Sequence, residues 1–455
     1  MTRLDERLTE ALATMAEEAP RPDGLLEAAR SRHRRRRRAQ VGVAAVAALA
    51  VAVPVGLVGF GRDGTSEPEP LGPYRYGQHQ KISSAVPVAQ AHGFRTLDYG
   101  VPSHSPLLQM ANGDKLAPIG EYVDIDAEGR LTAMRVQGPH VRVSYQLVPG
   151  AGLAAQELAS PVGHSIERGI WAPSFTPDGR LLWSRWNGQW IHQWLTDDHG
   201  GDAREVTPSE TAVHVPPGVV GQPWRGLWVD GGRVWFSAVT KVQGSGDDPL
   251  QWISLFSYDP AHPDQVQREA ASDVAAIQVA NGEAVWIDRS TTRVFAEDLA
   301  TQQVREVPLS LDPGCRLEPM KWLSQGGQSS AVVTNGSLVA TTEFCGDWRT
   351  TREVVTDLSG RRVTEIDPGP GHQVYDVELT DQTMSFMAQG PEPVVHQATY
   401  LDDLGTGQLI DLGAWNHDMG SMQVAPTIAG RYVVWYADGE GHVGRLDPSP
   451  DEVQR

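Results

Sequence analysis

The chain has 455 residues, with 38 Lys and Arg against 57 Asp and Glu, a formal net charge of −19, and 40% hydrophobic residues. A chain of that length and apolar content can bury a sizeable core, and one so acidic repels a phosphate backbone rather than releasing its counterions, which argues against nucleic acid as a partner. Two cysteines are too few for a disulfide-rich scaffold or a cysteine-only zinc site.

Residues 1–38 predict a short cytosolic amphipathic helix ending in an arginine block. Thr2 and Asp5 have capping-box spacing, and Leu4, Leu8, Leu12 and Met15 form one apolar stripe before Pro20 and Pro22 break it. So short a segment buries no core of its own; it lies on a membrane surface or docks a cytosolic partner. Residues 30–38 then hold seven arginines, among them Arg34, Arg35, Arg36, Arg37 and Arg38. Directly after them, residues 41–60 carry no polar side chain, and about 20 helical residues at about 1.5 Å each match a hydrocarbon core of about 30 Å. The transmembrane helix is therefore placed at 39–60. Basic flanks stay inside, so the amino terminus is expected in the cytoplasm and the rest of the chain outside, with the arginines on anionic inner-leaflet lipids. A cleaved secretory signal is the competing reading, but its apolar core is shorter and the Gly56–Gly61 stretch is a poor cleavage context. Ala44, Ala48, Ala52 and Gly56 recur every four residues, a small-residue seam for a homodimer through the span. Residues 61–84, rich in Gly, Pro and charge, read as a linker.

From residue 85 to the end, a β-rich segment, a Gly-containing turn and a second apolar strand recur every 45–55 residues. The units start near Glu121, Ala172, Arg225, Ala275, Ser329, Tyr375 and Ala425, and turns such as Asp178-Gly179, Asn281-Gly282 and Asn335-Gly336 suit tight hairpins. Third and fourth strands follow most pairs, as in the segments from Thr351 and Arg361. Four strands per unit predict an all-β fold, a β-propeller of seven blades, with six or eight left open. The stretch APSFTPDGRLLW from Ala172 resembles the blade motif of TolB-like and WD-repeat-like bacterial propellers, which implies the architecture and no activity. The last unit ends after its third strand near Val443–Leu446, so a strand from residues 85–110 is expected to close the ring.

No HExxH, GxSxG or phosphate-cradling glycine loop is present, and no cofactor or metal is expected. The Asp197–Asp202 cluster lacks calcium-loop spacing and reads as a solvated turn, and His192, His372, His396 and His417 are scattered. Cys315 and Cys345, both beyond the span, predict one structural disulfide in an oxidising compartment. A two-residue hairpin at Asn187-Gly188 would put Trp183, Arg185, Trp190, His192 and Trp194 on one sheet face, as core filling or as a sugar platform. Loops joining blades and loops between second and third strands emerge on one face. That face is expected to carry Trp224, residues 241–251, Asp347, Trp348, Trp415 and His417 as binding residues.

Lys81, Lys115, Lys241 and Lys321 are the only lysines, and the bias to Arg, Ala and Gly fits a GC-rich, actinobacterial genome. A Leu-striped, Arg-terminated leader, one span and an exterior propeller resemble the layout of actinobacterial proteins related to anti-sigma factors, implying a cytosolic partner such as a sigma factor. No cytosolic cysteine matches the zinc-type anti-sigma domain. The expectation is a membrane-anchored, non-enzymatic binding or sensing protein that engages an extracytoplasmic protein or glycan. The alternative is an envelope scaffold or carbohydrate-binding propeller, and a third reading is an extracytoplasmic hydrolase or lyase on the same fold.

Overall fold

A computed structural model describes residues 74–99, 119–137, 141–147, 156–161, 170–186, 191–208, 224–243, 250–263, 265–272, 274–317, 321–322, 328–329, 331–346, 351–390, 397–415, 426–437 and 440–447. All belong to the unit Glu69–Arg455. Among the described residues no helix is long and apolar enough to cross a membrane; the expected span, its arginines and its small-residue seam lie outside them.

The described part is nearly all β, built of four-stranded antiparallel meanders. The first comprises Ile119–Ile125, Leu131–Gln137, Val141–Leu147 and Gln156–Glu157, and the second Ile170–Phe175, Leu181–Trp186, Ile191–Thr196 and Arg204–Glu205. Trp224–Asp230, Arg233–Gln243, Leu250–Tyr258 and Gln267–Arg268 form the third; Val274–Ala280, Glu283–Asp288, Val294–Asp298 and Gln303–Val307 the fourth. The fifth holds Val332–Thr334, Leu338–Cys345, Thr351–Asp357 and Arg362–Asp367, and the sixth Gln373–Leu379, Thr383–Gln389, Gln397–Asp403 and Gln408–Trp415. Thr427–Ala429, Tyr432–Ala437 and Glu440–Leu446 make the seventh, whose outer strand is Phe94–Leu97. That strand pairs antiparallel, Phe94 opposite Leu446 and Leu97 opposite Val443, as the closure argument expected.

Hydrophobic burial sets the order of the sheets, because each meander packs on the next through one apolar cluster. Leu158 meets Leu181 and Trp183; Leu195 and Val206 meet Val234 and Phe236; Trp235 and Val239 meet Val279 and Trp286. Val285 and Ile287 then meet Val332 and Val339, Val355 and Val363 meet Met384 and Phe386, and Leu401 and Ile410 meet Val433 and Trp435. Finally Val434 and Val443 of the last meander pack on Ile125 and Leu131 of the first. Radial sheets whose last member packs on the first make a β-propeller.

Turn chemistry explains the repeat. Asn281 and Gly282 both take positive φ, at 47° and 81°, as a two-residue hairpin requires. An aspartate at the end of the third strand caps the turn to the fourth in several meanders. Asp197 Oδ1 accepts His199 and Gly201 N–H, Asp298 Oδ1 those of Ala300 and Thr301, Asp357 Oδ1 those of Ser359 and Arg361, and Asp403 Oδ1 those of Gly405 and Thr406.

The innermost strands end each sheet and leave edge N–H groups that need acceptors. Asp124 Oδ2 accepts the Phe175 N–H at 2.6 Å, Gln278 Oε1 that of Thr334 at 3.0 Å, and Glu378 Oε2 that of Ile428 at 2.9 Å. Each latch joins one meander to the next. Burial pushes the Asp124 carboxyl up to about 7 and Glu378 up to about 8, against the backbone N–H groups that oppose the rise.

Two sequence expectations are corrected. Residues 78–84 are no linker: Gln78–Lys81 pairs parallel with the fifth meander, Ile82–Ser84 forms a turn, and Val86–Pro87 pairs parallel with the sixth. The segment from Tyr74 to Leu97 is a strap along three consecutive meanders. The register after Trp186 is not that of a two-residue hairpin at Asn187-Gly188: Trp183 faces Trp194 and Arg185 faces His192. A shift of two residues changes partners and keeps the side-chain face, which is why the face assignment survives for these four.

Candidate functional site

In an up-and-down meander the start of the first strand, the end of the second, the start of the third and the end of the fourth share one end of the propeller. Trp224 begins a first strand and Trp415 ends a fourth, so the backbone puts both at that end. Asp347, Trp348 and His417 lie outside the described residues, so no side-chain geometry unites the five expected binding residues.

What this end does assemble is a disulfide with an ion network beside it. Cys315, on strand Cys315–Leu317, lies directly opposite Cys345 at the end of Leu338–Cys345; the sulfurs are bonded, with Cα atoms 4.1 Å apart. Both cysteines stand on paired strands, which brings their Cα atoms close. Arg352 starts the neighbouring third strand. Its Nη2 donates to Glu343 Oε2 at 2.9 Å, to Asp312 Oδ2 at 2.8 Å and toward Cys315 Sγ at 3.2 Å, and its Nη1 donates to Glu365 Oε1. Hydrogen bonding from Arg352 holds the Asp312 carboxyl below the usual range, whereas burial raises Glu343 despite the same guanidinium. Arg362 bonds Glu365 Oε2, and His79 Nδ1 of the strap reaches Glu365 Oε1 at 3.2 Å. Cys315, Cys345 and Glu343 bring three ligand-type atoms within 4.8 Å of one another, but both sulfurs are committed to the disulfide.

A second cluster at the same end pairs cations with an indole. Lys241, ending a second strand, holds Nζ 4.5 Å from the Trp252 ring centroid. Arg289, just past the second strand of the next meander, holds Cζ 5.3 Å from the same ring and donates to Gln251 O at 2.6 Å. Burial lowers the Arg289 guanidinium from its ordinary value. Such contacts contribute about 0.5–2 kcal/mol each and fix the direction of the charges. Sequence reasoning flagged residues 241–251 and stopped one short of Trp252. Arg289 was missed because its contact crosses between meanders.

Within the tryptophan hairpin Trp183 is structural. Trp183 is fully buried, donates Nε1–H to Thr196 Oγ1 at 3.0 Å and fills the space between the first two meanders. His192 binds Glu205 at 2.8 Å and stacks on Trp194, and His372 contacts Pro370 O; His396 lies outside the described residues.

No protein-family model and no curated protein matches the sequence. Among solved structures, the chain is similar to oligogalacturonate lyase from Vibrio parahaemolyticus, at 10% identity over 78% of this chain and 97% of that one, with a TM-score of 0.43. It is also similar to TolB from Acinetobacter baumannii, at 10% identity over 61% of each chain and a TM-score of 0.35. A third is the β-propeller domain of the Trilobed protease from Pyrococcus furiosus, at 11% identity over 65% and 83%, with a TM-score of 0.38. The expectation of a protein without enzymatic activity is thereby corrected: a lyase stands among the structures of this architecture, and the restriction to non-enzymes is dropped. The common ground of these likenesses is the β-propeller fold.

Proposed function

We propose that the chain is a membrane-anchored binding or sensing protein with a seven-bladed propeller outside the membrane, which takes its ligand on the end carrying Lys241, Trp252, Arg289 and the Cys315–Cys345 disulfide. The observation that supports this most is the pair of cations on one indole, on a rigid ring whose surrounding sequence is strongly acidic. Two positive charges beside an aromatic face suit an acidic glycan or an acidic protein segment. The arginine block before an uncharged apolar run supports the anchor, and the disulfide suits an oxidising compartment. The leader would then relay to a cytosolic partner such as a sigma factor.

The test is twofold. A reporter active only in the cytosol, fused after Arg455, should be silent, and activity there would overturn the orientation. Lys241→Ala, Trp252→Ala and Arg289→Ala should each weaken capture of acidic envelope polymers by the full chain; unchanged capture by all three would remove the binding end.

A further inference from the structure

We propose that the cleft between the strap and the sixth blade binds a neutral, polyhydroxylated molecule of about monosaccharide size. The strap is hydrogen-bonded to the ring at Gln78–Lys81 and again at Val86–Pro87, and a cleft lies between it and the turn that leads into Gln408–Trp415. The space left has a volume of about 410 Å³, in the usual range of about 300–1,000 Å³ for small-molecule sites. Gln80, Ser84, Val86 and His92 line it from the strap, with Gln408 and Leu409 opposite.

The lining contains no Asp, Glu, Lys or Arg, so neither a cation nor an anion finds a counter-charge there, although the chain is strongly acidic. It offers hydroxyl, carboxamide and imidazole groups, which both donate and accept, as sugar hydroxyls do. Several are already fixed. Gln80 Nε2 donates to Gly407 O at 2.7 Å and reaches the buried Asp402 Oδ1 at 3.3 Å. Ser84 Oγ donates to Lys81 O at 2.8 Å and keeps its lone pairs for accepting, and Gln408 Nε2 donates to His92 O at 3.4 Å and keeps its carboxamide oxygen. Groups ordered before binding cost less entropy on binding. Half-buried Val86 supplies the apolar contact that the C–H face of a sugar ring needs. The cleft is separate from the Trp252 end, and its ligand does not depend on that reading.

The experiment is ligand-observed NMR of the full chain with glucose, mannose and N-acetylglucosamine, beside the charged analogues glucuronate and glucosamine. Neutral sugars should bind and charged ones bind more weakly. Gln408→Ala and His92→Ala should each weaken binding about tenfold, and Trp252→Ala should leave it unchanged. His92 is exposed, so its substitution keeps the fold and the test. No binding of any neutral sugar up to its solubility would overturn the proposal, as would binding that survives Gln408→Ala and His92→Ala together. Binding lost in Trp252→Ala alone would move the sugar to the other site.

Discussion

Asp402 gives the sharpest test of how the ring and its strap are held together. The side chain is fully buried, its Oδ1 accepts the Gln80 amide, and Oδ2 makes no complete hydrogen bond with the neighbouring Thr364 hydroxyl. Burial pushes its carboxyl from 3.8 up to about 7. Between those two values the folded protein holds a proton that the unfolded chain releases. The stability tied to that proton is complete below about pH 3.8 and is lost as pH rises through about 7. At about 1.4 kcal/mol per pH unit the full loss is about 4 kcal/mol. Asp402→Asn keeps an acceptor for Gln80 and never ionises. The variant should therefore be more stable than the parent by about 4 kcal/mol at pH 8 and lie within about 1 kcal/mol of it at pH 4. Denaturant unfolding of both chains at each pH measures this difference. Curves that stay parallel from pH 4 to pH 8 would refute the reasoning, because they would mean the buried carboxyl is already neutralised by a partner or hydrated.

Replacing Cys315 and Cys345 by serine should cost about 3–4 kcal/mol in denaturant unfolding, the chain-entropy value for a 30-residue separation; an unchanged midpoint would show that the strand pairing alone fixes that loop. Gln278→Ala removes the acceptor for the Thr334 N–H and should cost about 1–3 kcal/mol by thermal unfolding, with Gln278→Glu costing less. Gly407 has φ +75°, and a Cβ there would stand 1.7 Å from Gln78 Oε1, so Gly407→Ala should loosen the strap and speed tryptic cleavage at Lys81, besides about 1–2 kcal/mol of backbone cost. Cleavage no faster than in the parent would show that the strap docks independently of that turn.

The blades were legible because their signals are local. Alternating apolar residues, Asn-Gly and Asp-Gly turns and a missing last strand each sit within one repeat, and the Phe94–Leu97 closure followed from counting strands. The disulfide was legible for a simpler reason, since Cys315 and Cys345 have no other partner in the chain. The strap was hidden. Its strands Gln78–Lys81 and Val86–Pro87 are short, interrupted and paired in parallel with strands near the far end of the chain, so neither periodicity nor turn chemistry marks them. The Asn187-Gly188 dipeptide misled in the opposite way: a strong local turn signal centred the hairpin there, whereas the register that sets Trp186 opposite Ile191 is shifted by two residues. Arg289 on Trp252 and Arg352 among three carboxylates are contacts between elements, and no spacing in one element announces them.

Several aspartates of this chain serve as turn caps, and that has a consequence for its response to pH. Asp259 and Asp298 follow or end third strands. The Ala261 N–H on Asp259 and the Thr301 N–H on Asp298 hold both carboxyls below the usual range. Their contribution is present above the unfolded value of 3.8 and is lost as pH falls through the lower folded value. Asp124, Asp402 and Glu378 act with the opposite sign, and their contribution is lost as pH rises toward 7 and 8. Surface turns therefore penalise acid, while Asp124, Asp402 and Glu378 penalise neutral and alkaline pH. Unfolding free energy, followed from pH 3 to pH 9, should pass through a maximum at about pH 4–5, below the usual window of about pH 5–8. Asp124→Asn together with Glu378→Gln should shift that maximum upward while leaving the acid limb in place. A profile rising steadily to pH 8 would show that the latch carboxylates are ionised in the folded ring.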